Sequence, residues 1–170
     1  QLQLLETHVY GRRLPAVPVR PVGGVERTRV TLAGDTPAIR VQARLRMGEV
    51  ADAPQVDVLL YLPEASRPGE RVPVFLNLNF RGNQSETPDP AVRITSSWVY
   101  ADKDGGVADN RATEASRGTS SHRWPVEQML RRGYGMATAY YGDIFPDRAD
   151  GRPQSVLASL GRPVEGTLPP

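Results

Sequence analysis

The chain has 170 residues, of which 39% are hydrophobic and 24% charged, and it contains no cysteine. This length indicates one domain or a large part of one. The absence of cysteine excludes a disulfide framework, a thiol nucleophile and a cysteine-ligated metal site. A net charge of +2 from scattered arginines is not the basic stripe of a nucleic-acid-binding surface. The sequence contains no run of about 18 apolar residues, so it predicts no membrane-spanning helix.

The two histidines, His8 and His122, lie far apart and lack the spacing of a helical zinc site, so we expect neither a metal nor a cofactor. A signal peptide has a basic segment followed by a long apolar segment, and residues 1–24 contain no such arrangement. Three prolines lie between Leu14 and Pro21. This composition predicts an irregular, extended lead-in over residues 1–24.

Three β-strands follow in the predicted order. Residues 27–32 are rich in β-branched side chains, and residues 38–47 alternate between apolar and polar side chains almost without interruption. A third segment, residues 55–62, begins with alternation and becomes continuously apolar before Pro63. Short connections between these strands predict antiparallel pairing.

The next segments predict a strand–helix–strand unit. Residues 72–80 form the most apolar stretch and predict a strand covered on both faces. Residues 125–132 place apolar side chains on one helical face, and residues 134–141 predict another buried strand. Strands joined through a helix run parallel. The sequence therefore predicts a mixed sheet of the α/β class.

The remaining segments predict connections within a single domain that spans residues 1–170. Residues 81–121 form a long polar loop in which two apolar segments, 91–94 and 97–100, are expected to lie against the body. Residues 147–170 show no regular pattern and predict an irregular tail.

The residues most able to carry chemistry stand where the two parallel strands end, which is where α/β sheets bind ligands. After the first strand come Asn79, Phe80, Arg81, Gly82 and Asn83. A glycine there brings backbone N–H groups close to a ligand and can stabilise an oxyanion. The alternative is a turn in which the two asparagines cap backbone groups.

Asp143 follows the second strand and is the other candidate. It could orient a base or bind a polar ligand, or it could cap a turn. The stretch Asp102–Asp109 fails the calcium-loop pattern, because Val107 stands where the invariant glycine is required. Ser120 and Ser121 stand beside His122, and helix capping explains them better than a catalytic pair.

Four segments resemble the glucuronoyl esterases, carbohydrate esterase family 15, and the likeness covers roughly residues 56–147. They are Pro73–Gln84, Asp89–Arg93, Arg117–Glu127 and Arg132–Asp147. The resemblance implies an α/β-hydrolase fold and a serine esterase that cleaves the ester between glucuronic acid on xylan and a lignin alcohol. The predicted unit then corresponds to the third strand, first helix and fourth strand of that fold.

The resemblance also implies what this chain lacks. The family's nucleophile lies in a Gly-Cys-Ser-Arg-x-Gly-Lys motif, and the chain contains no such motif. We therefore expect the catalytic serine, acid and histidine beyond Pro170, which makes the chain an N-terminal half that is inactive alone. Hydrolases of this fold usually place an oxyanion-hole N–H after the third strand, which is where Phe80, Arg81 and Gly82 stand. The family draws oxyanion stabilisation largely from an arginine beside its nucleophile. We therefore expect these three residues to form a wall of the active site rather than its oxyanion hole.

The resemblance further implies a glucuronoxylan or lignin–carbohydrate ester as substrate and a secreted or periplasmic location. Without further parallel neighbours, the apolar strand edges predict self-association. Two alternatives remain open. One is an acetyl xylan esterase of the same fold. The other is a non-catalytic fragment or carbohydrate-binding remnant, in which aromatic side chains stack on sugars; the candidates are Trp98, Trp124, Tyr140 and Tyr141.

Overall fold

The computed structural model describes residues 2–9, 16–65, 69 and 71–160. Its strands are β1 (Val19–Pro21), β2 (Glu26–Leu32), β3 (Thr36–Met47), β4 (Gln55–Pro63), β5 (Val74–Asn79), β6 (Val107–Ala108), β7 (Arg111–Ala112) and β8 (Gly135–Tyr140). Its α-helices are α1 (Leu2–His8), α2 (Val126–Arg131), α3 (Tyr141–Ile144) and α4 (Val156–Ser159). Short 3₁₀ helices lie at Asn83–Glu86, Glu114–Ser116, Ser121–Arg123 and Arg152–Gln154.

Six strands form one mixed sheet in the order β1-β3-β4-β8-β5, with β2 beside β1 on the same edge of β3. The β2, β3 and β4 strands pair antiparallel, and β4 pairs antiparallel with β8. Of the strands in the described part of the chain, only β5 and β8 run parallel, with Val74 opposite Gly135 and Asn79 opposite Tyr140. The predicted α/β class, with antiparallel first strands and a parallel pair joined through a helix, is confirmed.

The helix α2 connects the parallel pair and packs on one sheet face. Its buried side chains, Val126 and Leu130, are four residues apart and so share a helical face. The helix begins one residue after the predicted start, because Pro125 is its N-cap, and no side chain caps it. The prediction that serines cap this helix is wrong, since the Ser121 hydroxyl donates to the Gly118 carbonyl instead (2.8 Å). Gly133, with φ of +82°, follows the helix end.

The main core lies between α2 and this sheet face. It contains buried side chains from four elements and the long loop: Ala38, Leu59, Tyr61, Val92, Val126, Leu130 and Met136. A smaller cluster joins Val99, Val107 and Tyr140. Both apolar segments of the long loop therefore lie against the body, as predicted. The loop also contains two complete 3₁₀ helices and the β6–β7 hairpin.

The N-terminal and C-terminal segments differ from the prediction. Residues predicted to be an irregular lead-in contain helix α1, whose leucine-rich sequence has high helix propensity. They also contain β1, which pairs with the free edge of β3 (Val19 opposite Met47), a nonlocal partner that local pattern does not show. The predicted tail contains α4. Residues 10–15 and 161–170 lie outside the described part of the chain.

The prediction that residues 72–80 are covered on both faces is wrong for this chain. Among the described residues, β5 has a single neighbouring strand, and both of its faces carry exposed apolar side chains: Val74, Phe75, Leu76 and Leu78. The sheet face opposite α2 is also incompletely covered, since Val41 and Leu60 are partly exposed. Open apolar edge strands pair readily with other chains. Within the described residues, no helix is both long and apolar enough to cross a bilayer.

We expect this chain to self-associate through β5 and the substitution Leu76→Lys to reduce that association. Leu76 is 75% exposed at the open edge, and a lysine there disfavours edge-to-edge pairing. Size-exclusion chromatography with light scattering measures the effect. The control is Val25→Lys, because Val25 is another exposed apolar residue but precedes β2. A monodisperse wild-type monomer would contradict the expectation.

Candidate active site

The turn that follows β5 is fixed by two buried asparagines. The Asn79 amide donates to Asn83 Oδ1 (2.7 Å) and to Thr138 Oγ1 (3.0 Å). Its oxygen accepts the backbone N–H of Gly82 (2.8 Å). The Asn83 amide donates to the carbonyl of Asp57 on β4 (2.7 Å). Both asparagines therefore cap backbone groups, and the Gly82 N–H is occupied within the turn.

Gly82 and Gln84 set the shape of the same turn. Gly82 has φ of +94°, and a Cβ at this position would overlap the amide of Gln84 and the methyl group of Thr95. Both the backbone conformation and the contacts therefore require glycine. The buried Gln84 amide donates to the Arg81 carbonyl (2.7 Å), and its oxygen accepts the N–H of Thr95 (3.3 Å).

The turn directs Phe80 and Arg81 to a groove at the carboxyl ends of β5 and β8. The groove has a volume of about 390 Å³. Phe80 is 66% exposed, and its ring meets that of Tyr141 edge-on at 5.4 Å. Arg81 forms an ion pair with Asp102. The lining residues are Phe80, Arg81, Tyr100, Ala101, Asp102, Arg123, Tyr141 and Asp147.

Two tyrosines at the end of β8 stay neutral hydrogen-bond donors. The Tyr141 hydroxyl donates to Asp147 Oδ2 (3.2 Å). Burial, together with the Asp147 carboxylate, raises the pKa of Tyr141 to about 12. The Tyr140 hydroxyl donates to the Trp98 carbonyl (2.8 Å), and burial raises its pKa as well. The groove can therefore bind aromatic, charged and hydrogen-bonding groups, and its phenols are poor bases near neutral pH.

Asp143 does not line this groove. It lies in a separate polar pocket of about 340 Å³ that Arg44 and Asp57 also line. There Asp143 Oδ1 accepts the Thr95 hydroxyl (2.8 Å) and Oδ2 accepts the Asp57 N–H (3.5 Å). Burial raises the pKa of this carboxyl, and hydrogen bonds from Ser97 and Thr95 oppose the rise only in part. Asp143 thus fastens the long loop to the end of β8.

The structure brings together two of the predicted candidates and separates the others. Phe80 and Arg81 share the groove, whereas Asn79, Gly82 and Asn83 hold the turn behind it. Sequence reasoning missed several lining residues because they come from distant loops; these are Tyr100, Asp102, Arg123 and Asp147. Tyr141, which the sequence offered as a residue that could stack on a sugar, directly follows β8 and lines the groove. Among the described residues, no cluster of three acidic or histidine side chains could hold a metal ion.

Comparison with known proteins identifies related esterases. Carbohydrate esterase MZ0003, from an unknown prokaryotic organism, is 41% identical over 149 residues, which cover 85% of this chain and 32% of that protein. A structure described as a promiscuous CE15 esterase from a marine bacterial metagenome is 40% identical, with a TM-score of 0.67 over 86% of this chain and 35% of its own. No protein-family model matches the chain.

A glucuronoyl esterase from Solibacter usitatus is 34% identical, with a TM-score of 0.74 over 98% of this chain and 40% of its own. This chain is homologous to CE15 carbohydrate esterases. The resemblance to the N-terminal portion of these enzymes and the α/β-hydrolase fold that it implied are both confirmed. The chain spans about a third (32%) of the length of the curated relative, carbohydrate esterase MZ0003.

We expect Asp143→Asn to remove a pH dependence of stability. A carboxyl whose pKa is raised in the folded state, here above its ordinary 3.8, stabilises the fold below that ordinary value. The stabilisation is lost as the pH rises through the folded-state pKa. The free-energy advantage of wild type over Asp143→Asn should therefore shrink with rising pH in urea denaturation. Asp150→Asn is the control, because the Asp150 side chain is 79% exposed. Parallel stability–pH curves for wild type and Asp143→Asn would contradict this assignment.

Proposed function

We propose that this chain is a segment of a serine carbohydrate esterase that cleaves the ester between the glucuronic acid of glucuronoxylan and a lignin alcohol. The observation that carries the proposal is homology to CE15 esterases, including 34% identity over 98% of the chain to a protein described as a glucuronoyl esterase. A polymeric plant substrate is met outside the cytoplasm, so the proposal includes a secreted or periplasmic location.

The groove supports this proposal by its position and its chemistry. It lies at the carboxyl ends of parallel strands, where α/β folds bind substrates. The rings of Phe80 and Tyr141 offer an apolar wall suited to an aromatic alcohol. Arg81 and Arg123, which share the groove with Asp102 and Asp147, offer guanidinium hydrogen-bond donors suited to the carboxyl group of an acidic sugar. In this proposal the chain supplies binding walls, while a serine activated by histidine attacks the ester carbonyl from the rest of the enzyme.

A second candidate is an esterase of the same fold with a broader or different substrate, such as acetylated xylan. The observation that favours it is the 40% identity to a CE15 esterase described as promiscuous. A non-catalytic role in carbohydrate binding is a third candidate, because the groove combines aromatic rings with charged groups. Activity on two kinds of ester distinguishes all three.

We expect the purified 170-residue chain to hydrolyse neither a glucuronate methyl ester nor an acetylated xylan oligomer. A protein extended through the downstream coding sequence should hydrolyse the glucuronate ester and act on the acetyl ester more slowly. Equal or faster acetyl release would favour the second candidate. Binding without turnover by the extended protein would favour the third. Hydrolysis by the chain alone, after substitution of every serine, would refute the whole scheme.

In the extended esterase we expect Arg81→Ala to raise KM for the glucuronate ester about fivefold, which corresponds to ~1 kcal/mol. The expected cause is loss of positive charge from the groove wall. Arg29→Ala is the matched control, because Arg29 pairs with Glu64 on an exposed part of the sheet. A lower kcat with unchanged KM would assign Arg81 to the chemical step instead. Unchanged kinetics would remove it from the substrate-binding surface.

A further inference from the structure

A second and larger cavity lies on the α2 face of the sheet, apart from the groove. It has a volume of about 670 Å³ and shares no lining residue with the groove. It opens between the end of β2, the loop of residues 87–90 and the start of α2. Cavities of this volume are typical of small-molecule sites. Its walls include Leu32, Tyr61, Glu86, Pro88, Trp124 and Val126.

One wall carries an incompletely satisfied carboxyl group. Glu86 is only 5% exposed, and the Ser85 hydroxyl contacts its Oε1 at 3.3 Å. Its second oxygen, Oε2, is buried without a well-aligned hydrogen-bond partner, although the Trp124 side chain also interacts with this carboxyl as a donor and lowers its pKa. A buried carboxyl oxygen in this state is costly, and in native proteins it usually has a donor. Oε2 therefore has room for a better-aligned donor.

The charges around Glu86 do not supply that donor. Arg40 also lines the cavity, but its guanidinium is paired with Asp89. Arg123 lines the groove and lowers the pKa of Glu86 only in part. Burial is the dominant effect and raises that pKa to about 7. A carboxyl group in this setting favours a ligand that donates hydrogen bonds over an anion.

The other side chains that line the cavity indicate which class of ligand it could bind. Trp124, Tyr61 and the prolines at positions 88 and 90 form extended apolar surface. Thr31 and Thr87 add hydroxyl groups, and His122 and Glu127 add titratable groups. A ligand with a flat apolar side and several hydroxyls matches this mixture better than a small ammonium ion does, because such an ion would leave the apolar walls uncovered. Apolar walls with a few converging polar groups are the usual composition of a ligand site.

We propose that this cavity binds a neutral sugar unit, with its ring against Trp124 and one hydroxyl donating to Glu86. The site is separate from the groove of the proposed esterase and does not depend on hydrolysis. In an enzyme that acts on a polysaccharide, it would hold a neutral part of the chain at a distance from the bond that is cleaved.

The test uses tryptophan fluorescence of this chain at submicromolar concentration. The chain contains two tryptophans, so Trp98→Phe leaves Trp124 as the sole reporter. We expect saturable quenching or enhancement by xylotriose, a neutral oligomer of three pentoses. Glu86→Leu should weaken this binding at least about tenfold, because it removes the hydroxyl acceptor. Glu86→Leu is not expected to unfold the chain, because it replaces a buried unsatisfied group with an apolar one of similar length.

Three controls make the result decisive. Glu64→Gln removes an exposed carboxyl elsewhere on the surface and should leave xylotriose binding unchanged. Circular dichroism confirms that each variant is folded. Butylammonium is titrated in parallel. Absence of saturable xylotriose binding, equal binding by Glu86→Leu, or preferential binding of butylammonium would each overturn the proposal. None of these results bears on whether the extended protein hydrolyses esters, so the two proposals fail independently.

Discussion

Buried polar side chains on the sheet need partners, and the long loop after β5 provides them. Gln42 on β3 binds this loop on both sides of Val92, donating to the Ala91 carbonyl (2.9 Å) and accepting the N–H of Arg93 (3.1 Å). The neighbouring Arg40 pairs with Asp89. Removing one partner of such a buried pair leaves the other unsatisfied, which costs about 1–3 kcal/mol. The buried polar side chains of β3 and the loop therefore stabilise each other.

This mutual dependence explains how a loop of irregular backbone can position a groove. Gln84 is fully buried, and its backbone carbonyl accepts the N–H of Gly118 (3.0 Å). Its side chain donates to the Ser116 hydroxyl (3.2 Å) as well as to the carbonyl before Gly82. One glutamine thus connects the turn after β5 to the far end of the loop. The groove residues Phe80 and Arg81 stand on a backbone that is fixed from behind, so they need no contacts of their own to hold it.

Periodicity predicted the parts of the fold in which one face of an element is buried. The spacing of Val126 and Leu130 in α2 reflects a single buried face. The alternation in β3 predicted the strand but not its buried face, since the polar Arg40 and Gln42 are buried whereas the apolar Val41 is partly exposed. Sequence pattern was misleading for β5. A continuous apolar run shows that a strand is suited to burial, but it does not show whether another segment of the chain covers it. Sequence pattern also missed β1. This strand pairs with the C-terminal end of β3, and that contact is distant in sequence.

The candidate site was predictable only to the extent that it follows strand ends. Phe80 and Arg81 come directly after β5, so their position follows from topology. Asp143 satisfies the same rule after β8 but turns to Thr95 in the loop, because a buried carboxylate binds the nearest donors. No local pattern indicates which way such a side chain turns. Asp102 and Asp147 reach the groove from loops whose course depends on their partners in the folded chain.

Two buried polar groups, the Asn77 amide and Glu86 Oε2, lack well-aligned hydrogen-bond partners. The first lies at the open edge of the sheet and the second lies beside a cavity. The Asn77 amide is buried and unpartnered on β5, beside an edge that has no neighbouring strand. In the proposed extended esterase, further polypeptide along that edge would be placed to supply its partners. Glu86 Oε2 also lacks a well-aligned donor, but β2, the loop of residues 87–90 and α2 already line the cavity beside it. Because these walls leave open space beside Glu86, a ligand bound in the cavity can donate a hydrogen bond to its carboxyl group more readily than an added strand can.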